Sequence, residues 1–198
     1  MENQKPAIES IMGERGRLRT VHEMLKAALE VSPRDETFIP FYIAIGNYME
    51  ASMGRLHTQD ISMLEKLASK VDMNDPENEE NIAEVYRRLD GNQEHLKLYK
   101  ACTRALVSDG AEGVKDYEET SLAYIDYIHN RMGHHAPSTD MARRVFTEED
   151  WAAFADIDEN YFSKERALYE SVLQTRPESV PLGQAAEQYV ADYRRDKG

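Results

Sequence analysis

Cysteine is almost absent: the 198 residues contain one, Cys102. A single thiol excludes a disulfide scaffold, a zinc ribbon and any Cys-x-x-Cys redox pair. Basic residues are the second shortage. Twenty-four lysines and arginines stand against 37 aspartates and glutamates, so the chain carries −13 at pH 7. A surface of that sign repels phosphate backbones and anionic lipid, which argues against nucleic acid and membrane as partners. Long apolar runs are missing too. The longest uncharged stretch, Thr37 to Met49, has 13 residues and contains Pro40, short of the ~18 a spanning helix needs. Met1 to Ser10 holds no apolar core of a secretory signal. No Gly-rich phosphate loop and no Ser-His-Asp ordering signal is present. These absences lead to the expectation of a soluble cytoplasmic protein.

What is present is helical periodicity. The length suits one domain with an appendage and is enough to bury a core. Ile11, Leu18, Val21, Leu25 and Leu29 recur at spacings of three, four and seven, which predicts an amphipathic helix from Ile8 to Leu29. A second helix starts near Asp35-Glu36-Thr37, with Pro40 tolerable in a first turn, loosens at Gly54 and resumes from Leu56 to Val71. Asp75-Pro76-Glu77 is a cap followed by proline at the first helical position, and Asp109-Gly110 ends that third helix. A fourth runs from about Gly113 to His135 and stops before Pro137, with Ser138-Thr139-Asp140 as a loop. Thr147-Glu148-Glu149-Asp150 opens a fifth helix, which continues through Trp151, Phe154, Ile157, Phe162, Leu168 and Val172. Gly183 to Arg195 reads as a shorter helix. No alternating strand pattern and no internal repeat is found. The expected fold is all-α: an up-down-up-down four-helix bundle plus the following helix over residues 1–175, with a C-terminal helical tail over 176–198.

Histidines fall on each of the first four helices: His22, His57, His95, then His129, His134 and His135. Tyr48 stands nine residues before His57, Glu94-His95 forms a pair, and Met141-Ala142-Arg143-Arg144 precedes Phe146-Thr147-Glu148-Glu149-Asp150-Trp151. With these features the chain from about Ala7 to Tyr169 resembles the hemerythrin-like family, also called HHE cation-binding domains. The resemblance implies a four-helix bundle around a non-haem di-iron centre that handles oxygen, nitric oxide or peroxide. Its histidine ligands come from all four helices, and its carboxylates bridge the two metals, as a hard anionic oxygen can and a neutral imidazole cannot.

The ligand set departs from that pattern. Arg15 stands where the family has a histidine on the first helix. His57 is kept, but the residue four further on is Ile61, with Asp60 turned away by about 100°. His95 is kept with Tyr99 at i+4. His129 is kept, while the carboxylate position holds His134. Both bridging acids are therefore replaced, and Arg15 is a permanent cation that repels a second metal. The resemblance then implies a mononuclear, nitrogen-rich site of His57, His95, His129 and His134. Iron is the metal implied by the family and zinc suits the ligand set. Arg15, Asp60, Glu94 and Tyr99 are placed around it or on a substrate.

Other residues receive plainer readings. His22 is expected at the surface or behind a ligand, His135 at a helix end, and Asp60, Glu14 and Glu94 on solvated faces. Cys102 and methionines such as Met49, Met53 and Met63 are expected in the core. Three functions remain open. One is a metal-binding protein acting in redox or small-molecule sensing or metal-assisted catalysis. Another is a metal-free remodelled bundle that binds a small organic anion or a protein partner. The last is a metal- or histidine-dependent hydrolase or lyase.

Overall fold

The computed structural model describes residues 5–32, 35–132, 136–183 and 188. Seven α-helices follow one another: α1 (Lys5–Glu30), α2 (Phe38–Ala68), α3 (Pro76–Asp109), α4 (Val114–Tyr127), α5 (Ala136–Val145), α6 (Glu148–Ala155) and α7 (Glu159–Thr175). No strand occurs among the described residues, so the expectation of an all-helical chain is met. No described helix is long and apolar enough to cross a membrane.

Local chemistry accounts for the boundaries. Asp75 caps α3 by accepting the Glu77 N–H at 2.9 Å, and Pro76 occupies the first helical position, where a missing N–H costs nothing. Gly110 closes α3 at φ 57°, a conformation that a residue without Cβ adopts freely. Thr147 and Asp150 form a reciprocal capping box at the start of α6. Gly54 does not loosen α2, which runs unbroken from Phe38 to Ala68.

Three expectations are corrected. Pro137 does not end a helix; it lies in the first turn of α5, so Ser138, Thr139 and Asp140 are helical rather than a loop. The fourth helix ends earlier than expected as regular α-helix and continues as a π-helical turn, Ile128–Met132. The fifth helix is two helices, because the backbone leaves helical geometry at Asp156 and Asp158 caps α7 through the Asn160 N–H at 2.9 Å. His134, His135 and, apart from Gly183 and Gln188, the C-terminal helix expected over 183–195 lie outside the described residues.

α1 packs on α2, α4 and α7, α2 on α3 and α7, and α3 on α4. The main core between them includes Met24, Leu25, Phe41, Ile45, Met49 and Leu106, each at most 1% exposed. Burying such a side chain is worth about 1.5–3 kcal/mol. Val180, beyond α7, belongs to the same core. A second cluster, in which Leu64, Ile82, Leu89 and Met141 meet, seats α5 against α2 and α3.

Candidate functional site

Where α1, α2 and α7 meet, two carboxylates are fully removed from solvent: Glu14 and Glu165, each 0% exposed. Helical spacing aims these groups inward. Glu14 and Arg17 are three apart on α1, Tyr48, Ser52 and Arg55 are four and three apart on α2, and Tyr161 and Glu165 are four apart on α7. Glu165 accepts from Arg17 Nε at 2.8 Å and Nη2 at 2.5 Å, and from the Tyr48 hydroxyl at 2.7 Å. Glu14 accepts from Arg55 Nε at 3.0 Å, from Arg55 Nη2, and from the Tyr161 hydroxyl at 2.5 Å. Arg55 also lies 5.3 Å from the Tyr161 ring centroid and donates to Gln59, which in turn donates to the Phe154 carbonyl at 2.7 Å.

The electrostatics follow from burial. Burial works against both guanidinium charges, but the bonds to Glu165 and Glu14 outweigh it and raise Arg17 and Arg55. Burial beside the paired acids pushes the Tyr48 and Tyr161 phenols well above the usual range. Ser52 is 0% exposed and close to both phenols, yet its hydroxyl forms no well-aligned hydrogen bond with either. Two arginines and two glutamates leave this interior neutral.

At the edge of the network lies Asp60. It is half-buried rather than solvated, and burial raises its carboxyl to about 6 against the opposing pull of Arg15 and Arg55. Arg15 itself is exposed. Its neighbour Glu14, expected on a solvated face, occupies the interior instead.

Between α2, α3 and α4 sits a set of tyrosines. Tyr99 is 0% exposed and its hydroxyl lies 2.5 Å from that of Tyr117, which donates to the Tyr42 carbonyl at 2.9 Å. Burial raises both phenols. Tyr124 donates to Asn92 Oδ1 at 3.0 Å. His95 is half-buried between the rings of Tyr124 and Tyr127, parallel to the first within 4°. Glu94 faces solvent, as expected.

The remaining described histidines are dispersed. His57, half-buried on α2, faces Asp90 and Gln93 of α3; its Nδ1 is buried and has no partner. Burial lowers its pKa against Asp90 and the hydrogen bond to Gln93. His129 lies exposed on the π-helical turn. Among the described residues no group of three or more His, Cys, Asp or Glu side chains is arranged to hold a metal ion. His57, His95 and His129 are therefore not gathered into such a group, and His134 lies outside the described residues. His22 is half-buried: its Nε2 is enclosed without a partner, and burial lowers its pKa to about 4. Cys102 is half-buried, 3.2 Å from the Thr120 hydroxyl.

An open groove of about 360 Å³ lies between α2 and α6, lined by Ser62, Lys66, Asp150 and Phe154 among others. Asp150 at its edge is committed to Lys66, Lys70 and Thr147, which hold its carboxyl well below the usual range. Sequence reasoning missed Arg17, Arg55, Tyr161 and Glu165 altogether. The available signal was the i, i+3 and i, i+4 spacing of acid, arginine and tyrosine on three separate helices. Comparison of the chain with protein-family models, with curated proteins and with solved structures finds no match in any of the three.

Proposed function

We propose that the chain is a hemerythrin-like four-helix bundle, formed by α1 to α4 with α7 laid against α1 and α2, whose interior has been converted from metal binding to internal ion pairing. In this reading it is a binding protein, for a small organic anion or a protein partner, rather than a di-iron protein. The observation behind it is the pair of buried carboxylates. Buried acids need a cation nearby; here Arg17 and Arg55 supply it, each through two nitrogens. A bridged di-iron centre does not suit these residues, since the bridging positions hold Ile61 and His134 and the interior charge is already balanced.

The test is metal loading. Protein made without a polyhistidine tag is incubated anaerobically with Fe²⁺, or with Zn²⁺, desalted and assayed for metal. Substoichiometric metal and an unchanged melting temperature are expected. One tightly held ion per chain would overturn the reading.

One observation favours a second reading. The unpartnered Nδ1 of His57 is a free imidazole nitrogen inside the helix packing, as a ligand to a single ion would be. In that reading His57 would bind iron or zinc through this nitrogen, with His95, His129 and His134 brought to it only on metal binding, and the ion would supply Lewis-acid or redox chemistry. Metal retained by the parent protein and lost from His57→Ala and His95→Ala is the outcome that selects it.

A further inference from the structure

The aromatic side chains of α2, α3 and α4 form a continuous column. From Tyr42 the ring centroids step 4.9 Å to Tyr117, 5.4 Å to Tyr99, 5.6 Å to Tyr124, 6.0 Å to His95 and 4.5 Å to Tyr127. The first four rings are at most 1% exposed, while His95 and Tyr127 reach solvent at one end. Rings this close exchange an electron vacancy readily. A phenol, however, keeps a vacancy only if its hydroxyl proton has somewhere to go. The column differs from ring to ring in that respect. Tyr117 and Tyr127 donate to the backbone carbonyls of Tyr42 and Arg88, both at 2.9 Å, and Tyr124 to the Asn92 amide oxygen. Tyr99 meets the Tyr117 hydroxyl. None of these acceptors is a base near neutral pH. Tyr42 instead donates to a carboxylate, Glu118 Oε1, at 2.9 Å.

We propose that this column is a one-electron relay whose oxidised state rests at Tyr42. An outer-sphere one-electron oxidant meeting the Tyr127 end removes an electron, and the vacancy passes from tyrosine to tyrosine, crossing His95 without oxidising it. At Tyr42 the phenol O–H bond breaks, its proton passes to Glu118, and a neutral tyrosyl radical and a carboxylic acid remain; the electron stays on the oxidant. Tyr48 and Tyr161 also donate to carboxylates, Glu165 and Glu14, but neither ring stands in this column. The inference goes beyond the binding reading and does not depend on it.

The test oxidises the full-length protein with photogenerated tris(bipyridine)ruthenium(III), persulfate being the terminal electron acceptor, and follows the frozen samples by electron paramagnetic resonance. A long-lived tyrosyl signal is expected, lost in Tyr42→Phe and in Glu118→Gln and kept in Tyr86→Phe. Tyr127→Phe is expected to lower the yield and leave the lifetime unchanged. A signal that survives both Tyr42→Phe and Glu118→Gln overturns the proposal. The parent protein gives a check that needs no variant. Its radical must show one exchangeable proton hydrogen-bonded to the phenoxyl oxygen and relaxation typical of a buried site; a solvent-exposed radical overturns the proposal equally.

Discussion

Glu14 on α1 and Glu165 on α7 each draw an arginine and a phenol from the two helices to which they do not belong. Glu14 takes Arg55 from α2 and Tyr161 from α7; Glu165 takes Arg17 from α1 and Tyr48 from α2. The two sets are related by a rotation of roles among three helices, so neither is complete in any helix pair.

Removing one charge strands the other. Glu165→Gln leaves Arg17 without its counter-charge and is expected to cost about 3–5 kcal/mol, read as a lower urea midpoint at unchanged slope. The double replacement Arg17→Met with Glu165→Leu should recover most of that loss, because it strands nothing. A loss in Glu165→Gln below about 1 kcal/mol, the range of exposed pairs, would show that the pair is solvated in solution.

Ser52 should respond in the opposite sense. Its buried hydroxyl forms no well-aligned hydrogen bond, and an unsatisfied buried hydroxyl costs about 1–3 kcal/mol. Ser52→Ala is therefore expected to leave the melting temperature unchanged or raise it. A clear drop would reveal a hydrogen bond or a bound water at this position.

Gly46 is a close-approach site. A Cβ there would stand 2.3 Å from Thr103 Cγ2 and 2.5 Å from its Oγ1, in the packed contact between α2 and α3. Gly46→Ala should cost about 1–3 kcal/mol through overpacking. Thr103→Ala in the same chain should restore part of the loss, since it removes the two nearest atoms. Equal stability of the single and double variants would place the strain elsewhere.

Two buried groups set opposing pH slopes. His22 titrates near 4 in the folded chain against an ordinary value of 6.5, so between those values the unfolded chain binds the extra proton and stability rises with pH. Asp60 titrates near 6 against 3.8, so over 3.8 to 6 the folded chain holds the proton and stability falls with pH. The two slopes offset each other in the parent protein. Asp60→Asn should make stability climb more steeply from pH 4 to 6, and His22→Gln should make it climb less steeply or fall. Urea unfolding at several pH values reads both; identical profiles in all three proteins would refute the assignment.

Helix existence was legible because apolar spacing reports it directly. Boundaries failed where one residue type has two meanings. Pro137 is compatible with a stop or with a first turn, and the turn prevailed because Met141 and Ala142 bury against the Leu64–Leu89 cluster. The break at Asp156–Asp158 was hidden because apolar spacing continues through Ile157 and Phe162 on both sides. The interior network was illegible for a geometric reason. Glu14 and Arg15 are one residue apart, hence about 100° on the helix, and only packing decides which faces inward. Arg15, the residue expected at a ligand position, is exposed, while Glu14 takes the buried position.

The exchange among α1, α2 and α7 also constrains how this chain can change by single mutations. Loss of Glu14, Arg17, Arg55 or Glu165 alone leaves a largely buried charge without its partner. Nor can any one of the three helices be replaced by an unrelated amphipathic segment, since each supplies parts to both sets. Drift at these four positions is therefore blocked one step at a time and open only to concerted replacement. Descendants of this sequence should keep all four charged side chains or show a wholly apolar junction, with few intermediates between.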